Sequence, residues 1–328
     1  MSWGDATCEL AVLSGKGGTG KTSVTASLAA LAGQVVVADC DVEASNLPLV
    51  LDPRLRRSEA FSAGLRARIN PDRCVACGRC AEVCRFEAIL GDGPGNELAP
   101  RTYRVDPAAC EGCGVCHDHC PARAIELLAN ESGEWMVSDT RFGPLVHARL
   151  HPGQGNTGKL VSLVRRQARL VAGDAGRRLI LLDGPPGIGC PAIACLTGVT
   201  RVLAVTEPTP SGEHDLERLL ALARHFEVPA SVCINKHDLN PELTARIERR
   251  AAALGAPVAG RIPHDPAVTA AQRRGRPVVE HGPGPAAAAL AGLWRLLEGG
   301  LGAGPAPGGG CGGAPGAGAA VPRGKGAG

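Results

Sequence analysis

The chain has 328 residues, enough for one well-buried α/β core and a smaller module, because single cores stop growing near about 250 to 300 residues. Its 35 lysines and arginines nearly balance 32 aspartates and glutamates, so no field of one sign draws in nucleic acid or an anionic membrane. Met1 to Asp5 lacks a basic-then-apolar signal pattern, and no stretch of about 18 apolar residues escapes a charge, which predicts a cytoplasmic chain without a membrane span.

In chain order, the apolar run Leu10 to Leu13 leads into a glycine-rich turn and then a segment free of Gly and Pro, Lys21 to Ala32. That order reads as strand, phosphate loop, helix. A second strand, Val35 to Val37, ends in Asp39-Cys40-Asp41. From Arg66 to Asn130 the rhythm stops, and a repeat takes over: Cys74 to Ile89 is echoed by Cys110 to Ile125 at an offset of 36 residues. Alternation from Glu134 to Arg149 predicts a hairpin leading back. Further buried-strand runs follow at Leu179 to Leu182, Val202 to Val205 and Val232 to Ile234. The predicted fold class is α/β, a doubly wound, mostly parallel sheet with a small α+β module inserted. The expected units are 1–65 and 131–300 for the sheet domain, 66–130 for the insert, and a disordered Gly/Pro/Ala-rich tail at 301–328. Leu290, Leu293, Trp294 and Leu297 form a helical stripe with one basic neighbour, Arg295, which predicts packing on the sheet rather than a membrane anchor.

Ser14-Gly15-Lys16-Gly17-Gly18-Thr19-Gly20-Lys21-Thr22 satisfies the GxxxxGK[ST] pattern between a strand and a helix. Backbone N–H groups of Gly15 to Gly20 are expected to cradle phosphates, Lys21 to reach the β/γ-oxygens, and Thr22 to ligate Mg²⁺. With its additional lysine, Lys16, the loop resembles the deviant Walker A ATPases of the MinD/ParA superfamily. That resemblance implies a lysine that crosses to a partner's nucleotide in an ATP-dependent homodimer. It also implies Asp41 positioning the attacking water, Asp39 and Asp183 near Mg²⁺, and Gly187 of Asp183-Gly184-Pro185-Pro186-Gly187 sensing the γ-phosphate. Asn235 of Asn235-Lys236-His237-Asp238 is expected on the purine. The same string fits the NKxD of GTPases, so guanine recognition by Asp238 stays open beside ATP.

Eight of fourteen cysteines fall between Cys74 and Cys120. Cys74, Cys77, Cys80 and Cys84 are spaced CxxCxxCxxxC, and Cys110, Cys113, Cys116 and Cys120 repeat the spacing. Three thiolates two residues apart curl around one cubane, and the fourth belongs to the other cluster. Cys74, Cys77, Cys80 and Cys120 are therefore expected on one 4Fe-4S cluster, and Cys110, Cys113, Cys116 and Cys84 on a second. Paired structural zinc sites fit the spacing poorly. About 60 residues resemble bacterial two-cluster ferredoxins, departing at Arg85, where that family has proline. Cys190, seven residues after Asp183, has no second thiol to complete a third cluster at a dimer interface.

From residue 9 to about 298 the chain resembles MinD-superfamily ATPases with an inserted ferredoxin domain. The stretches Gly153 to Val161, Thr206 to Gly212 and Arg261 to Asp265 share in that resemblance. The expected function is ATP binding and hydrolysis with dimer switching coupled to electron transfer and to an unidentified redox partner. A metallocluster carrier or assembly ATPase and a redox-sensing regulatory ATPase are the alternatives.

Overall fold

The computed structural model describes residues 7–155 and 158–301. Its strands are β1 (Cys8–Ser14), β2 (Val36–Asp39), β3 (Arg54–Ile69), β4 (Ile89–Gly93), β5 (Thr102–Val105), β6 (Ile125–Thr140), β7 (Gly143–Leu150), β8 (Leu179–Pro186), β9 (Arg201–Thr206), β10 (Ala230–Asn235) and β11 (Val258–Ile262). The α-helices are α1 (Lys21–Ala32), α2 (Leu47–Leu51), α3 (Arg79–Glu82), α4 (Val115–Asp118), α5 (Lys159–Asp174), α6 (Cys190–Leu196), α7 (Pro210–His225), α8 (Pro241–Ala253), α9 (Pro266–Gln272), α10 (Val278–His281) and α11 (Pro285–Leu301). A nine-stranded sheet runs in the order β11-β10-β9-β1-β8-β2-β7-β6-β3. All pairings from β11 to β7 are parallel, whereas β6 is antiparallel to both β7 and β3.

The central strands are apolar on both faces because helices cover both. Ala11, Leu13, Ile180 and Leu182 pack in one layer with residues of α5, α6, α7 and α8. Leu10, Val12, Leu181 and Leu203 pack in the other with α1 and α11. Each such fully buried leucine or isoleucine stabilises the fold by about 1.5–3 kcal/mol relative to exposure. A buried charge interrupts β1: Glu9 pairs with Arg165 and Arg169 of α5. Arg165 Nη1 also donates to Ala194 O (2.6 Å) and Thr197 O (2.8 Å), tying the end of α6 to the same point. Removing Glu9 alone would leave Arg165 buried and unpaired, a loss of about 3–5 kcal/mol.

The hairpin expected at Glu134 to Arg149 is present, turning between Thr140 and Gly143. The module boundaries differ from the expectation. Positions 66 and 130 fall inside β3 and β6, two 16-residue strands paired from Arg54↔Asp139 to Ile69↔Ile125. Backbone pairing thus runs out of the sheet and into the small unit, with register shifts at Leu55/Arg57 and between Phe61 and Leu65. Sequence reading missed β3 because its side chains are mostly exposed and five of its sixteen residues are arginines, a composition suited to an unpaired sheet edge. Beyond the ribbon lies a separate core, in which Ala67, Ile69, Ile89 and Ile125 pack with Cys74, Cys80 and Cys116, covered by the two-stranded sheet β4-β5.

Leu290, Leu293, Trp294 and Leu297 are buried against the sheet, as their spacing predicts. Among the described residues no helix is long and apolar enough to cross a membrane. The tail, with Cys311, and Asn156-Thr157 lie outside the described residues.

His147 on β7 is buried, with Nε2 2.9 Å from Ser138 Oγ, and burial pushes its pKa down to about 4. The unfolded chain takes up a proton near pH 6.5, while the fold refuses it until about pH 4. This stability is therefore complete above pH 6.5 and lost on acidification toward 4, at no more than about 1.4 kcal/mol per pH unit. Denaturant unfolding across this window should have a shallower acid-side slope in His147→Gln than in the parent.

Candidate nucleotide site and thiol cradles

The loop from Gly15 to Gly20 carries the chain from β1 into α1. Gly20 has φ 90°, and a Cβ there would stand 2.3 Å from Asn235 Nδ2, so this position requires glycine. Asn235 at the end of β10 donates from Nδ2 to Thr19 O (2.8 Å). The buried Thr19 Oγ1 has no protein partner among the described residues. The loop, Asp41, Asn46, Leu49, Pro186 and Gln272 line a cleft of about 520 Å³. A recess of about 220 Å³, sharing Gly18, Gly20, Ser23 and Gln272, adds Asn235, Lys236, Pro263, His264 and Asp265.

Parallel pairing brings the C-terminal ends of β1, β2 and β8 to one edge, where charge collects. Lys21 Nζ stands 3.1 Å from Asp183 Oδ1 and 3.4 Å from Asp41 Oδ2. Thr22 Oγ1 donates to Asp183 Oδ2 (2.7 Å) and Thr25 Oγ1 to Asp183 Oδ1 (3.0 Å). Burial opposes the charge on Lys21, but Asp183, Asp41 and Asp39 outweigh it and hold its pKa above the usual lysine value. Asp39 accepts from Ser45 Oγ (2.8 Å) and from the backbone N–H groups of Asp41 (3.1 Å) and Leu47 (3.3 Å). Burial, with Asp183 alongside, pushes Asp39 up to about 8. Burial likewise raises Asp41. On top of burial, three carboxyl groups against one lysine raise Asp39 and Asp41, a crowding that a divalent cation would relieve by favouring their charged forms. Gly187 joins the site through its N–H to Ser14 O (2.8 Å).

Lys16 turns inward on its own chain. Its Nζ contacts Glu207 Oε1 (2.8 Å), Thr209 Oγ1 (2.9 Å) and Ser211 Oγ (2.9 Å). Glu207 also pairs with Lys236 Nζ (3.1 Å), and although burial opposes its ionisation the two lysines hold its pKa below the ordinary glutamate value. Asp238 is exposed and accepts from the N–H of His264 (2.7 Å), which binds its carboxylate to the segment after β11. Sequence reasoning missed Thr25 and Gln272. Thr25 was within reach, since i, i+4 spacing sets it above Lys21 on one helix face. Gln272, which donates to Ser23 Oγ (2.7 Å), arrives from α9, some 250 residues along, and left no local signal.

Cys84, Cys110, Cys113 and Cys116 line one pocket of the small unit, and Cys74, Cys77, Cys80 and Cys120 line another. Each pocket thus takes three thiols from one repeat and its fourth from the other. The repeat extends to the backbone: Ala76 and Gly112, Gly78 and Gly114, Glu87 and Arg123 are left-handed at matched positions. Cys84 Sγ accepts from Ala88 N (3.4 Å), and Cys120 Sγ from Ala124 N (3.3 Å). Burial pushes Cys80 up to about 11 and also raises Cys116. Thiolates there require a positive partner. Among the described residues no three His, Cys, Asp or Glu converge to hold a single metal ion. Cys190 is exposed at the start of α6, outside both pockets. Cys8, Cys40, Cys195 and Cys233 are buried in the main core.

The family profile of the CobQ/CobB/MinD/ParA nucleotide binding domain matches residues 10–278. The chain belongs to that family. This MinD/ParA-type P-loop ATPase is 35% identical over 235 residues to the uncharacterized protein MJ0578 of Methanocaldococcus jannaschii, covering 71% of this chain and 79% of that one. It shares its fold with the cell division ATPase MinD of Pyrococcus furiosus at TM-score 0.54 and 20% identity, over 89% of this chain and 98% of that one. The septum site-determining protein MinD of Pyrococcus horikoshii, complexed with Mg-ADP, gives TM-score 0.54 at 19% identity, over 89% and 96%.

Asp183 gathers Lys21, Thr22 and Thr25, so Asp183→Asn should lower steady-state ATP turnover on the order of 10²-fold with the circular dichroism spectrum retained. Thr25→Val removes one of those hydrogen bonds and should cost only about 1 kcal/mol in thermal unfolding. Equal losses of turnover in the two variants would contradict this ranking.

Proposed function

We propose that this ATPase binds ATP with Mg²⁺ in the cleft and carries two 4Fe-4S clusters, coupling nucleotide-driven pairing of two copies to electron transfer. The observation that carries the reading is the exchange of fourth thiols, Cys84 and Cys120, between the two cysteine pockets. A single tetrahedral ion with bonds of about 2.3 Å needs its sulfurs close together. A cubane offers each thiolate its own iron, so its ligands stand further apart, and the N–H donors on Cys84 and Cys120 suit anionic sulfur. When bound, such clusters supply one-electron storage. Cys74, Cys77, Cys80 and Cys120 would hold one, and Cys84, Cys110, Cys113 and Cys116 the other, in a ferredoxin-like module at the sheet edge.

In the ATPase body, loop N–H groups and Lys21 would hold the phosphates, and Thr22, Asp183 and Asp39 would hold Mg²⁺, which would supply charge neutralisation of the phosphates. Asp41 would orient the attacking water, and Gly187, directly after the strand that carries Asp183, would sense the γ-phosphate. The Mg-ADP in the Pyrococcus horikoshii MinD complex supports this cofactor choice. Engagement of Asp238 by His264 N supports adenine over guanine at Asn235, because guanine recognition requires that carboxylate free. Pairing of two copies requires Lys16 to leave Glu207, Thr209 and Ser211 and reach the partner's nucleotide. The reading carries with it a cytoplasmic location and a redox partner protein.

Protein purified without oxygen should contain about 8 iron atoms per chain, and Cys80→Ser or Cys116→Ser should each lose about four. Zinc in place of iron would refute the cluster assignment. Sedimentation with ATP and Mg²⁺ should give a dimer that Lys16→Ala abolishes, and ATP should bind more tightly than GTP.

A further inference from the structure

The two thiol pockets share one backbone plan and differ in charge. α3 and α4 lie 36 residues apart, as do the left-handed positions and the N–H donors to sulfur. At matched positions Glu111 replaces Val75, and Glu87 replaces Arg123. Residues 108–118 with 85–87, around the Cys84/Cys110/Cys113/Cys116 pocket, carry two net negative charges. Residues 72–82 with 121–123, around the Cys74/Cys77/Cys80/Cys120 pocket, carry one net positive charge. Arg79 is neutralised by Glu82 at 3.3 Å, whereas Arg73 and Arg123 have no ion pair among the described residues. Arg85 is the one cation of the acidic group, its Cζ 5.4 Å from the centre of the Phe86 ring.

The acidic pocket is also the one that touches the ATPase body. A Cβ on Gly112 would meet Leu65 O of the ribbon at 1.9 Å, and one on Gly153 would lie 3.9 Å from Ala108 Cβ. Asn130 Nδ2 donates to Gln154 Oε1 (2.7 Å) in the same loop between β7 and α5. The other pocket is closed by its own hairpin, through Tyr103 and through Asn96, which donates to Pro71 O (2.6 Å) and Cys74 O (2.8 Å).

We propose that the two pockets are unequal in reduction potential, with Glu111, Glu87 and Arg123 setting the gap. This rests on the two-cluster reading. Reduction adds one negative charge, which the acidic surroundings oppose and the basic ones favour. The first electron from a low-potential one-electron donor settles on the Cys74/Cys77/Cys80/Cys120 side, and the second on the side packed against the ATPase. Passage between them oxidises one side and reduces the other by the same single electron. Glu111, Glu87 and Arg123 are exposed, so salt screens their effect.

The test is a potentiometric EPR titration of the full-length, iron-replete protein. Two midpoints are expected. Glu111→Gln with Glu87→Gln should raise the lower midpoint and leave the upper in place, changing the electron distribution between the sides by about tenfold, which is about 59 mV for one electron. Arg123→Gln should lower the upper midpoint, and raising the salt from about 0.05 to 1 M should narrow the gap. Coincident midpoints, or a double variant that moves the upper one, would overturn the proposal while leaving the two clusters intact. Iron-free protein would instead overturn the cluster reading and this inference with it.

Discussion

A buried carboxylate organises the nucleotide end of the molecule. Asp183 has no exposed surface, so its charge must be met by protein donors or a cation. Lys21, Thr22 and Thr25 meet it from one helix, and Cys40 N donates to its backbone oxygen (2.8 Å) from the end of β2. These contacts register α1, β2 and β8 against one another. The phosphate loop, Asp39 and Asp41 then stand where they do because β1 and β2, which carry them, both pair in parallel with β8 from either side. The Glu9 ion pairs do similar work at the opposite end of β1, fixing α5 and the end of α6.

The cysteine-bearing unit is attached by backbone rather than by a linker. β3 and β6 continue the main sheet outward and deliver Ile69 and Ile125 directly into the small core. Within β6, Asn130 meets the loop between β7 and α5 through Gln154, and a Cβ on Gly158, just before α5, would stand 3.0 Å from Cys190 O at the start of α6.

Local motifs in this chain were legible because their chemistry demands fixed spacing. The phosphate loop, the strand-end aspartates and the cysteine repeats need particular residues a few positions apart, and each lies where its spacing indicates. Segments whose identity depends on distant partners were not legible. The edge strand β3 reads as polar chain until β6 pairs with it, and Gln272 carries no signal before α9 packs beside Ser23. Lys16 illustrates the same limit: its loop position is evident from the motif, but its present partners, Glu207, Thr209 and Ser211, come from the segment after β9.

The sequence by itself determined the apolar strand runs, the phosphate-binding loop and two sets of four thiols, because backbone geometry and ligand spacing act over a few residues. Only the tertiary structure decided that the small unit grows from the sheet on the bulged β3–β6 ribbon, and which pocket adjoins the ATPase body. Those outcomes depend on contacts between residues tens to hundreds of positions apart, where the free energy of burial and pairing, rather than local preference, selects the arrangement.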